Sequence, residues 1–186
     1  MYVRSIPAAS AAFAAILILI FTAPASAATV VGKLVAPSIV WVTDVAEVHP
    51  IVAEMRNTGK TFVPDILAIP VGSTVRFPND DPFFHSIFSA SETGAFDIGF
   101  YPAGPGKEQL FDRPGVLDVR CHIHALMRAN IVVVDGPYAT ADTSFAIADI
   151  GPGERVVHAW SRERGLRSQS VRIARSDATV VLARAL

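Results

Sequence analysis

The stretch Cys121-His122-Ile123-His124-Ala125-Leu126-Met127 gathers a thiol, two imidazoles and a thioether, and Cys121 is the only cysteine of the 186-residue chain. A second segment, Asn79-Asp80-Asp81-Pro82-Phe83-Phe84-His85, can bring a further imidazole from a separate strand. Two His, one Cys and a weak, distant Met make up the donor set that suits copper in an electron-transfer site. Thiolate and imidazole bind copper in both oxidation states, and the thioether tolerates a long bond. Zinc also accepts Cys and His, but structural zinc takes four strong ligands, commonly several Cys, and Met is foreign to that set. Taken singly, each residue has a plainer reading. His85 after two Phe suits a half-buried structural His. Met127 suits core filler, and a lone Cys suits an inert buried thiol. The combination points to copper.

The compartment strengthens that reading. Arg4 supplies a positive start, Ala11 to Phe21 is an unbroken apolar stretch, and Ala25-Ser26-Ala27 supplies small residues for cleavage before Ala28. Residues 1–27 are therefore expected to be a signal peptide. As an uncleaved anchor the apolar run is short, since a bilayer span needs about 20 residues. No other stretch is long enough to cross a membrane, so no membrane association is expected after cleavage. Exported proteins use cysteines in pairs, so an unpaired one needs a reason, and a metal site is one. The net charge of −1 gives no sign of nucleic-acid binding.

These donors must be held by strands. Val, Ile, Phe and Thr are frequent, Pro and Gly punctuate at short intervals, and no long helical period appears, which predicts an all-β sandwich or barrel. Strands are expected at Thr29 to Ala36, Ile39 to Thr43, Ile51 to Met55, Phe62 to Ile69, Thr74 to Asn79 and His85 to Ser89. Others are expected at Glu108 to Phe111, Gly115 to Arg120 and Ala129 to Val134. The tail adds Ser144 to Ile147, Arg155 to Trp160, Ser170 to Ala174 and Thr179 to Ala183. Asn57-Thr58-Gly59-Lys60 reads as a turn and Gly94 to Gly106 as a loop. Cys121 then falls where a strand ends, His124 and Met127 lie in the loop after it, and His85 comes from elsewhere.

Phe62 to Asp135 resembles the cupredoxin family, and within it the amicyanin and plastocyanin type. Val63-Pro64-Asp65-Ile66-Leu67 through Val71-Gly72-Ser73-Thr74-Val75 is similar to the family's P-x-x-L-x-V-x-x-G-D-T-V pattern, with Ser73 in place of the Asp. Asn79 precedes His85 as the family's Asn precedes its first copper His. The Cys-x-x-His-x-x-Met spacing of Cys121, His124 and Met127 resembles the short amicyanin loop, and Leu126 to Val134 resembles the family's closing strand. The resemblance implies a Greek-key β-sandwich with one type 1 copper ion. His85, Cys121 and His124 would be its equatorial ligands and Met127 its axial ligand, and Asn79 would brace the two ligand-bearing segments. His122 is a departure. As the neighbour of an inward Cys in extended chain it is expected to point away from the metal, into solvent. Ile123 and Ala125 stand where prolines usually flank the second ligand His.

Residues 28–136 are read as the cupredoxin unit and 137–186 as a smaller β extension. Phe145 to Trp160 in the extension resembles carboxypeptidase-regulatory-like, transthyretin-like modules, and the pairing resembles bacterial methylamine-utilisation-like proteins. Thr29 to Thr43 can belong to either unit; if these strands pair with the tail, the cupredoxin is an insertion. His158 and Trp160 read as strand packing and His49 as a surface loop residue. The function expected is a periplasmic, monomeric one-electron carrier rather than an enzyme. It would dock redox partners transiently near His124 through an apolar patch including Ala125 and Leu126. A copper delivery or storage protein and a metal-free interaction module are the alternatives.

Overall fold

The computed structural model describes residues 27–45, 48–174 and 179–181. Residues 1–26 of the expected signal peptide lie outside them. The strands are β1 (Ala28–Lys33), β2 (Ser38–Thr43), β3 (Val52–Glu54), β4 (Arg56–Thr58), β5 (Thr61–Val63) and β6 (Ile66–Pro70). There follow β7 (Ser73–Asn79), β8 (His85–Ser89), β9 (Phe96–Tyr101), β10 (Gly104–Phe111), β11 (Gly115–Arg120) and β12 (Arg128–Val134). The tail holds β13 (Tyr138–Ala141), β14 (Ser144–Ile150), β15 (Gly153–Ser161), β16 (Gly165–Ile173) and β17 (Thr179–Val181). The protein is all-β, as its composition predicts, and no helix among the described residues is long and apolar enough to cross a membrane.

Four sheets form. In the central sandwich one sheet runs β10-β7-β4-β5, with β3 also on β7, and faces a second ordered β6-β12-β11-β8-β9. The chain crosses repeatedly between the two, so β6 lies beside β12 and β8 beside β11, the non-sequential order of Greek-key sandwiches. Phe77, Val75, Ile87, Leu117, Val119 and Ile131 fill the space between. The remaining sheets, β14-β1-β17 and β13-β2-β15-β16, enclose a core of Val30, Val40, Val42, Phe145, Ile147 and Val157.

The N-terminal strands pair with the tail. β1 runs antiparallel to β14, and β2 lies between β13 and β15. The interval 28–136 read as one unit is thus divided. β3 to β12 make the central sandwich, inserted in chain order between β2 and β13 of the flanking one. The return passes through Gly136, where a Cβ would meet the Val42 carbonyl oxygen at 1.7 Å. Only glycine permits that approach.

The two sandwiches pack face to face. Along β12, Ala129, Ile131 and Val133 enter the central core, while Val132 and Val134 meet Ile39, Trp41 and Trp160. A strand buried on both faces reads as a continuous apolar run, which is why Ile131 to Val134 and Ile39 to Val42 lack the alternation of a half-buried strand. At the rim of this contact Arg162 donates to the Asp65 carboxylate at 2.8 Å, to the Asp65 carbonyl at 2.8 Å and to the Asn130 side-chain oxygen at 3.0 Å. Gly94 to Gly106 is a correction: it contains β9 and the start of β10. β9 is a sheet edge with a positive φ of 66° at Gly99 and an exposed Phe100, so its pattern is broken.

Candidate metal centre

β8 and β11 set the site. Phe88 on β8 pairs with Arg120 at the end of β11, so His85 at the start of β8 and Cys121 just past β11 reach the same end of the sandwich. The short loop to β12 then turns back, closed by the Met127 amide donating to the His124 carbonyl at 2.8 Å. A second tie joins the segments: the His122 amide donates to the Ser86 hydroxyl at 3.0 Å. The resemblance gave this bracing task to Asn79. Its side chain instead serves its own loop, accepting from the Asp81 amide at 3.0 Å and donating to the Phe83 carbonyl at 2.8 Å.

Three donor atoms converge. Cys121 Sγ lies 3.8 Å from His85 Nδ1 and 3.8 Å from His124 Nδ1, and the two Nδ1 atoms are 3.2 Å apart. Among the described residues these three form the group of His, Cys and acidic side chains arranged to hold an ion. The point equidistant from the three atoms is about 2.1 Å from each, close to the ~2.0–2.3 Å bonds that a first-row metal makes to N and S. His85 and Cys121 are buried, His124 is partly buried, and Met127, 1% exposed, belongs to the same core cluster as Cys121. Soft sulfur, two imidazoles and a neighbouring thioether fit a type 1 copper site and not an oxygen-loving cation.

The surroundings prepare the imidazoles. His85 Nε2 sits 2.9 Å from Asp81 Oδ2, while Nδ1, the other ring nitrogen, is the one that faces Cys121 Sγ. Burial works to raise the Asp81 carboxyl, but the Lys60 amide, the His85 ring and the Gly59 amide outweigh it and hold it below its ordinary value. His124 is held below the usual imidazole value by burial, by the neighbouring His85 ring and by the Lys60 ammonium, against an opposing pull from Asp81. A neutral imidazole is the form that binds metal. The Phe83 ring is wedged against both His85 and His124, with centroids 5.4 Å from each, and Lys60 Nζ lies 5.3 Å over its centroid.

His122 points away from the converging donors, as the extended backbone predicts. It is not simply solvated, however. Its ring stacks on Phe88 at 3.8 Å with a 5° interplanar angle, and Nε2 is 3.2 Å from Asp97. Asp81, Phe83 and Ser86 are the participants that sequence reasoning missed. An acidic residue four before His85 was the available signal, but in a loop that spacing has no periodicity to give it meaning. His158, read as packing, stacks on Trp41 with ring centroids 4.9 Å apart.

No family model matches the chain, and no curated protein matches it. Among solved structures it is similar to the Cu-containing nitrite reductase (NirK) from Thermus scotoductus SA-01, at 29% identity and TM-score 0.42 over 48% of this chain. That match spans only 23% of the reductase. A purple cupredoxin from Nitrosopumilus maritimus is also 29% identical, with TM-score 0.40, over 44% of this chain and 99% of its own. A reduced mutant of amicyanin is 17% identical, with TM-score 0.43, over 51% of this chain and 98% of its own.

Proposed function

We propose that this protein is a type 1 copper, one-electron carrier of the cupredoxin kind, acting after export to the periplasm. The observation that carries the reading is the meeting of Cys121 Sγ with the Nδ1 atoms of His85 and His124, 3.2–3.8 Å apart, at the buried end of a sandwich. His85, Cys121 and His124 would hold the ion equatorially and Met127 axially, and a copper ion so held supplies a one-electron couple. The protein's own contribution is rigidity. Strand ends fix His85 and Cys121, and the tie from His122 to Ser86 keeps the two segments together. Packed ligands that move little between oxidation states keep reorganisation small.

The same placement supports His124 as the point where electrons would enter and leave. His124 is the least buried of the three donors; Ile123, 46% exposed, and Leu126, 92% exposed, lie within two residues of it in the loop, and Phe84, 54% exposed, immediately precedes His85. An apolar rim around a partly buried ligand suits brief docking of a redox partner, because such encounters use small interfaces. Deep burial of His85 and Met127 supports a retained ion over one that is handed on. An optical spectrum of the mature protein loaded with copper(II) tests the reading. An intense thiolate-to-copper band with reversible reduction is expected. A weak, purely ligand-field spectrum would overturn it.

A further inference from the structure

The loop between β7 and β8 buries a carboxylate where the three converging donors do not need one. Asp81 is 7% exposed. Its Oδ1 accepts from the Gly59 amide at 2.7 Å, and its Oδ2 accepts from the Lys60 amide at 2.9 Å and meets His85 Nε2 at 2.9 Å. Gly59 and Lys60 are the two loop residues between β4 and β5, with φ of 62° and 58°. Positive φ at both positions is the type I′ hairpin turn, and successive amides of such a turn form a cradle for an anion. The three donors come from two separate parts of the chain and converge on one side chain.

We infer that Asp81 is a positioning residue: it transmits the geometry of the β4–β5 turn to His85 and fixes that ring with Nε2–H outward and Nδ1 free toward Cys121. Only a carboxylate answers all three donors. In an asparagine, either orientation of the amide sets its NH₂ group against a backbone N–H. An anion on the far side of an imidazole also makes that ring a stronger donor toward a metal. A more basic ligand favours copper(II) over copper(I), so the carboxylate lowers the reduction potential. This last part rests on the copper reading; the tautomer does not.

Two measurements test it. Nitrogen NMR of the metal-free wild-type protein should show His85 protonated at Nε2 and unprotonated at Nδ1. The opposite tautomer, or an even mixture, overturns the inference whether or not the protein binds copper. In Asp81→Asn, the metal-free protein should lose that single tautomer. The copper(II)-to-copper(I) affinity ratio should fall about tenfold, the lower end of what loss of such a partner costs, or about 59 mV upward in potential. A variant that keeps both the tautomer and the potential and only melts earlier would reduce Asp81 to a turn cap. If Asp81→Asn does not fold, the wild-type tautomer decides. A wild-type protein that takes up no copper(II) sinks the proposed function and leaves the tautomer result standing.

Discussion

The central and flanking sandwiches are built alike, yet they differ in what they bury. Each closes an apolar core between two sheets, and they share an apolar interface. Among the described residues, the buried polar ones Asn57, Ser73, Asn79, Asp81, His85, Ser86 and Ser89 belong to the central sandwich, and Ser38 and Ser161 to the flanking one. Burying polar groups costs free energy unless each is hydrogen-bonded. In the central sandwich Asp81 meets that cost through the Gly59 and Lys60 amides and the His85 ring, Asn79 through the Asp81 amide and the Phe83 carbonyl, and Ser86 through the His122 amide. The lesson is that β-sandwich packing alone does not mark a functional module. The uneven distribution of buried polarity does, because stability by itself gives no reason to bury Asn79, Asp81, His85 and Ser86 together beside Cys121.

The contrast can be broken most directly at Cys121. With copper(II), Cys121→Ser should lose the intense visible band entirely, since that band arises from the Cu–S bond. A variant that kept the band would leave the central sandwich with no chemical distinction at this residue. A large but selective effect is expected of the two loop histidines. His124→Ala should destroy or strongly alter the copper spectrum, while His122→Ala should leave it nearly unchanged, because the His122 ring lies on Phe88. Equal damage would mean that either imidazole can hold the metal, and would shift the function towards metal delivery.

The flanking sandwich should respond in the opposite sense. Trp160 is 7% exposed in the shared interface, and truncating a buried Trp costs about 3–5 kcal/mol. Trp160→Ala should therefore lower the melting temperature and leave the copper spectrum as it was. A changed spectrum would show that the interface sets the site. The smallest effect is expected at Met127. Met127→Leu nearly conserves volume, and such swaps usually cost under about 1.5 kcal/mol. Copper should stay bound while the potential shifts; complete loss of copper in voltammetry would make Met127 a primary ligand.

The donor set was legible because its residue types are chemically unusual together and lie close in sequence. Strand positions were legible where one face is buried, as along β7. Three things were not. The pairing of β2 with β15 depends on side chains far apart in the chain, and a run such as Ile39 to Val42 shows burial on both faces without naming the partner. β9 is an edge strand interrupted by Gly99, so it read as loop. Asp81 looked like any acidic loop residue, because its meaning comes from the turn at Gly59 and Lys60, and that contact exists only once the sheet is formed. The bracing role assigned to Asn79 went astray for a similar reason: the tie between ligand segments is made by Ser86, on the strand itself.

The insertion has a consequence for the order in which the chain can fold. Thr43 at the end of β2 donates to the Val156 carbonyl, 113 residues later. During synthesis β1 and β2 emerge first and then wait, with both apolar faces of β2 uncovered, while all strands of the central sandwich appear and have their partners at hand. Contacts of such long separation form slowly, and an uncovered apolar strand is an aggregation hazard meanwhile. The site-bearing sandwich is thus the part that can finish early. The first strands to be made are among the last to find their place.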